Sequence, residues 1–199
     1  MVSSLACLAH YEMRTGDRVI SSKIFPQDNQ GNPIVNPAGK YVVKLFVNGI
    51  WRKVEIDDLF PTMGSSSGCR MISASSKKKR LWISLLEKAY LKVHGGYNFM
   101  GSNSCKDTYA FTGWLPERIK LKDTDQARAF EKIEKGLRYN HCVVTIGTGF
   151  IENEDILGLV SNHAYGVFEA LELKPGLRLL LVKNPWAHFS WKGRFSVDD

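Results

Sequence analysis

The sequence predicts an α+β fold in two lobes, a helical first half interrupted by a β-hairpin and a mainly β second half. Three observations carry that prediction. Two alternating runs, Tyr41 to Val47 and Ile50 to Ile56, are separated only by Asn48-Gly49, the two-residue turn that tolerates positive φ at both positions. Leu81, Trp82, Leu85, Leu86, Ala89, Tyr90 and Val93 form one stripe of 3.6-residue period. Strand-like runs then follow at Cys142 to Ile146, Ala164 to Leu171 and Leu177 to Val182, and strands that follow helices without alternating with them argue for α+β.

The elements follow in order. Val2 to Met13 has helical character and stops near Thr15-Gly16, where glycine supplies the left-handed residue a helix end needs. Ser21 to Phe25 reads as a short strand before a loop rich in Pro, Asn and Gly from Pro26 to Gly39. The Asn48-Gly49 turn fixes the hairpin register: Val47 faces Ile50, Leu45 faces Arg52, Val43 faces Val54 and Tyr41 faces Ile56. The opposite face pairs Phe46 with Trp51 and Lys44 with Lys53, a mildly repulsive pair that belongs in water.

Pro61 to Ser76 reads as a Gly/Ser-rich connection, and the helix beginning at Leu81 ends at Gly95-Gly96. The small, polar stretch Met100 to Lys106 is the expected lobe boundary, giving lobes 1–102 and 103–199. A second helix, Asp125 to Tyr139, carries Ala127, Phe130, Ile133 and Leu137 on one side, with Thr124 or Asp125 as its cap.

Composition bounds the function. The 199 residues are 44% hydrophobic, enough to bury a real core. Lys and Arg number 27 against 20 Asp and Glu, a net charge of +7. That charge is too diffuse to predict a nucleic-acid partner, and Lys77-Lys78-Lys79-Arg80 is expected to be a solvated loop. No stretch approaches the roughly 20 apolar residues of a membrane span, and the first residues do not form a secretory leader. Cys7, Cys69, Cys105 and Cys142 lack metal-ligand spacing, so reduced thiols and a cytoplasmic location are expected.

The candidate chemistry lies in two short segments, Asn162-His163-Ala164-Tyr165 and Lys183-Asn184-Pro185-Trp186. His163 opens one strand run and Asn184 closes the next. Adjacent antiparallel strands would bring the Asn184 carbonyl to the His163 ring N–H, with Trp186 shielding that bond from water. A thiol protease needs these two groups and a thiolate. Spacing by itself leaves a structural histidine beside an Asn-Pro turn as the simpler account.

Cys7 falls more than a turn into its helix and is expected to be a packed thiol. His10 and His94 are expected at helix surfaces, His141 lacks companion ligands, and His188 reads as a loop residue. Glu152, Glu154 and Asp155 form one acidic cluster and Asp57-Asp58 another, but neither shows a calcium-loop pattern. No cofactor is expected from the residues.

The His163-Ala164-Tyr165, Lys183-Asn184-Pro185-Trp186 and Trp191-Lys192-Gly193 segments resemble the second protease lobe of the calpains. Val54 to Pro61, Leu81 to Tyr90 and Thr112 to Arg118 resemble that family's hairpin, helix and entry to the second lobe. Gly95-Gly96-Tyr97 and Gly101-Ser102-Asn103-Ser104 are most similar to its atypical PalB-type branch. The resemblance implies a papain-like two-lobed core, with His163 as catalytic base and Asn184 as its orienter. It places the nucleophilic cysteine two residues before Met1 and an oxyanion-hole glutamine further upstream, so the sequence is expected to begin past both.

The family also leaves calcium open as a cofactor. The implied function is limited intracellular proteolysis of a protein substrate, with endosomal sorting proteins as partners through flanking domains. The alternative is a catalytically dead relative that binds protein segments, and a basic nucleic-acid binder stands third.

Overall fold

The computed structural model describes residues 1–65, 68–74, 80–186 and 189–196. The chain divides into two compact units: Met1 with Asp17–Pro116, and Val2–Gly16 with Glu117–Asp199. Helix α1 (Val2–Thr15) forms as its sequence requires and ends at Gly16, with φ of 79°. It nevertheless belongs to the second unit, and the crossover falls at Pro116/Glu117 rather than in Met100 to Lys106. The division therefore differs from lobes of 1–102 and 103–199. The reason is where α1 buries its apolar face.

The first unit is built on a three-stranded antiparallel sheet of β1 (Ile24–Phe25), β2 (Lys40–Val47) and β3 (Ile50–Asp57), in that order. Asn48 and Gly49 take φ of 52° and 77°. The register is the one the turn dictates: Val47 opposite Ile50, Val43 opposite Val54, Tyr41 opposite Ile56, Phe46 opposite Trp51 and Lys44 opposite Lys53. Tyr41, Val43, Leu45, Val54 and Ile56 are buried together on one face. Ser21–Lys23 is a 3-10 turn rather than a strand, and only Ile24 and Phe25 pair with β2.

The connection from Pro61 holds a hairpin that the composition hides, β4 (Thr62–Ser65) paired with β5 (Gly68–Met71). The lysines of the Lys77-Lys78-Lys79-Arg80 run lie outside the described residues. Helix α2 (Trp82–Val93) buries Ile83, Leu85, Leu86, Ala89 and Tyr90 and packs on β2 and β3. Gly95 and Gly96 end it at φ of 97° and 112°.

The segment expected to be a boundary instead starts helix α3 (Ser104–Thr112), with the Asn103 side chain accepting from the Cys105 N–H at 2.9 Å. Its polar face concealed it: the buried residues are Asp107, Ala110 and Phe111. Asp107 accepts from the Ser102 hydroxyl at 2.7 Å, and burial first, then the nearby Asp107 carboxylate, holds the Tyr90 phenol above its ordinary pKa.

The second unit pairs α1 and helix α4 (Gln126–Arg138) with a three-stranded antiparallel sheet of β6 (Val144–Gly147), β7 (Ala164–Lys174) and β8 (Leu177–Lys183). Asp125 caps α4 by accepting from the Ala127 and Arg128 N–H groups. Ala129, four and eight residues before Ile133 and Leu137, takes the buried place expected of Ala127, which is exposed. A short helix α5 (Glu154–Leu157) lies in the connection from β6 to β7. Leu5 and Leu8 of α1 are fully buried, a gain of roughly 1.5–3 kcal/mol each.

Candidate active site

His163 and Asn184 flank the central pair of strands in the second unit. The β6–β7 ladder ends with Gly147 opposite Ala164, and the β7–β8 ladder begins with Gly166 opposite Lys183. His163 therefore stands one residue before β7 and Asn184 one residue after β8. Antiparallel pairing makes those two ends neighbours. The His163 Nε2 and the Asn184 Oδ1 lie 2.9 Å apart.

The orientation of the amide is fixed from its other end. Asn184 Nδ2 donates to the Phe189 carbonyl at 2.9 Å, and Asn184 Oδ1 also accepts from the Trp186 N–H at 2.9 Å. A carbonyl oxygen only accepts, so Nε2 carries the ring proton and Nδ1 is the basic nitrogen. Among the described residues, Nδ1 has no hydrogen-bond partner. That tautomer is the one a general base needs when a carboxamide holds its far side.

Two rings bracket the imidazole. Trp186 lies 4.5 Å away, centroid to centroid, tilted by 46°. Tyr165, two residues along the same strand face, meets the imidazole edge-on at 5.0 Å and 87°. The Tyr165 hydroxyl accepts from the Val160 N–H at 2.8 Å. Trp186 is half exposed and His163 half-buried.

The backbone of His163 is held as firmly as its ring. Thr148 Oγ1 donates to the Val160 carbonyl at 2.6 Å and accepts from the His163 N–H at 3.0 Å. Asn162 takes φ of 48° and donates its N–H to the Gly149 carbonyl at 2.9 Å. The Ser161 hydroxyl accepts from the Ile151 N–H, and Glu154 accepts from the Ser161 N–H, each at 2.8 Å. Thr148 and the Phe189 carbonyl are the parts sequence reasoning missed. Neither has a signal of its own, because each acts through a backbone group.

The other candidates fall elsewhere. Cys7 is buried on α1, donates to the Val144 carbonyl at 3.2 Å, and has its pKa pushed up to about 12, chiefly by desolvation. Burial also raises the Cys142 thiol, and Cys105 lies on α3 in the first unit. Neither Cys7 nor Cys142 hydrogen-bonds the His163 ring.

His10, expected at the helix surface, is half-buried there. Its ring stacks on Phe168 at 4.4 Å and its Nε2 is buried without a partner. His188 lies outside the described residues.

The acidic clusters resolve differently. The hydrogen bonds from Ser161 hold Glu154 below the usual carboxylate range, and Lys88 with the Leu59 N–H does the same for Asp57. Among the described residues no three His, Cys, Asp or Glu side chains gather as metal ligands. A groove of about 490 Å³ beside α4 is lined by Arg128, Glu131, Arg138 and Arg178 and shares no residue with the His163 centre.

A sequence profile described as calpain family cysteine protease matches residues 1–199. The chain is 45% identical over 204 residues to Calpain-7 of Mus musculus and 44% identical to Calpain-7 of Homo sapiens, matches that take in 100% of the chain and 25% of either relative. It is 41% identical over 192 residues to the calpain-like protease palB/cpr-8 of Neurospora crassa, covering 94% of the chain and 20% of that protein. The chain thus spans about a quarter of the length of these curated relatives. Among the described residues no helix is long and apolar enough to cross a membrane.

Proposed function

Because this chain belongs to the calpain family of cysteine proteases, we propose that it supplies the base and orienter of a calpain-type endopeptidase centre. The observation that carries this reading is the 2.9 Å contact between His163 Nε2 and Asn184 Oδ1, with the amide locked by the Phe189 carbonyl.

In the proposed reaction a cysteine thiolate attacks the carbonyl carbon of a peptide bond. His163 holds the thiol's proton on Nδ1 and passes it to the departing amine as the C–N bond breaks. The ring then takes a proton from water as the water oxygen attacks the thioester, which releases the acid and restores the thiolate. Asn184 keeps the imidazole plane fixed through both transfers, and Trp186 keeps water from its hydrogen bond.

The thiol in this scheme is the nucleophilic cysteine that membership of the family implies. The substrates are proteins cut at limited sites in the cytoplasm, and sorting proteins are partners of the whole protein. No step uses a metal or cofactor.

A second reading is a catalytically inactive domain that binds protein segments. Cleavage of casein by the full-length protein and by its His163→Ala variant separates the two. Activity lost in the variant supports the protease. A folded, inactive full-length protein that still binds casein supports the second reading.

A further inference from the structure

The chain's excess positive charge is confined to one of its units. The first unit holds 14 Lys and Arg against 7 Asp and Glu, whereas the second holds 13 of each sign. Part of that excess lies beside α3 on the face of the β1–β2–β3 sheet that carries Phe46 and Trp51. Lys44 and Lys53 are directly opposed across β2 and β3, a placement that brings their Cβ atoms within about 5 Å.

Lys23, from the 3-10 turn before β1, joins them with its ammonium 4.2 Å above the Trp51 ring, while the Lys44 ammonium stands 4.8 Å above Phe25. The Lys23 pKa is depressed, first by burial and then by the charge of Lys44. Among the described residues no carboxylate pairs with any of the three. The nearest acids on this sheet are already taken, Glu55 by Lys40 at 3.2 Å and Asp57 by Lys88. Like charges held together without counter-charge favour an anionic partner.

Apolar side chains adjoin the lysines. Trp51, on the same sheet face as Lys44 and Lys53, is 42% exposed. Phe46 and Trp51 meet edge-on at 5.2 Å, and Gly113 at the end of α3 lies against both rings, since a Cβ there would be 3.7 Å from Phe46 and 3.8 Å from Trp51. Trp114 and Leu115 follow that glycine, and Leu115 is 90% exposed. One corner of the unit thus combines Trp51, Trp114 and Leu115 with lysines that no described carboxylate pairs.

We propose that this face docks on an anionic lipid bilayer, the lysines meeting acidic headgroups and Trp51 and Leu115 entering the interface. A bilayer surface presents a negative layer directly over an apolar one, which matches this pairing of side chains. An acidic peptide offers the first layer without the second and leaves Trp51 and Leu115 unused.

The test is flotation of the purified chain with vesicles of phosphatidylcholine alone or with 30% phosphatidylserine, in roughly 0.1 M and 0.5 M salt. Binding is expected only to the anionic vesicles and is expected to weaken with salt. Replacing Lys23, Lys44 and Lys53 by Gln should lower the partition coefficient about 100-fold, near fivefold per charge. The control K132Q/K135Q, in the second unit, should leave it unchanged. Brominated lipids should quench the bound wild type, and Trp51→Phe should lose part of that quenching.

Three results would overturn the proposal: a folded wild type that ignores anionic vesicles, binding indifferent to the triple substitution, or binding to polyglutamate that equals binding to vesicles without lipid quenching. The last would assign the face to an acidic protein segment.

Discussion

The Cys7 sulfur occupies the space a side chain on Gly166 would need: a Cβ there would sit 2.8 Å from Cys7 Sγ, with the Ser3 carbonyl at 3.4 Å. Helix α1 can approach β7 this closely only because residue 166 is glycine. That approach carries α1 into the second unit and lets the Ser3 hydroxyl donate to the Ala164 carbonyl at 2.5 Å, one residue from His163. Gly166→Ala should therefore destabilise the second unit by about 1–3 kcal/mol. Urea unfolding followed by circular dichroism should show the lowered midpoint, and Cys7→Ala in the same chain should restore part of it. A neutral Gly166→Ala would mean that α1 and β7 do not pack this way.

Cys7 should behave as a core thiol. A pKa raised from 9.0 to about 12 leaves about a thousandfold less thiolate near pH 8, and thiolate is the reactive form. Labelling of the native chain with a disulfide reagent, read by peptide mapping, should spare Cys7 until denaturant is added. Rapid labelling of Cys7 in the native state would refute the burial.

His10 should make the second unit acid-sensitive. Burial first, then Arg14 and Lys183, hold its folded pKa below the ordinary 6.5, and Glu169 only partly opposes them. Below pH 6.5 the unfolded chain takes up the proton more readily than the folded one, so stability falls as pH drops through 6.5 toward the folded value. His10→Phe keeps the stack on Phe168 and should flatten that limb of the stability curve. An unchanged slope would place the acid sensitivity elsewhere.

Asn184→Ala should act on catalysis more than on folding. Asn184 lies at a strand end and is half-buried, so its loss should move the unfolding midpoint little. In the full-length protein kcat for casein cleavage should fall about 10²–10⁴-fold, the scale of positioned proton transfer, with KM nearly unchanged. A rise in KM with kcat unchanged would deny Asn184 a positioning role.

The hairpin register, α2, α4 and the three strands of the second unit were legible because each follows one dominant local rule, a two-residue turn or a 3.6-residue stripe. The juxtaposition of His163 with Asn184 was legible too, since it needs only two antiparallel strands. What escaped depends on contacts between distant residues. Helix α3 hides its burial behind Asp107, the β4–β5 hairpin is built from Gly and Ser, and the home of α1 is decided by Gly166. Thr148 and the Phe189 carbonyl hold the site through hydrogen bonds that leave no pattern in composition.

The most direct test of the central claim is casein cleavage by the full-length protein beside its His163→Ala variant, both checked for folding. The account predicts cleavage by the first and none above background by the second. Equal cleavage by both would remove His163 from the chemistry and contradict the account.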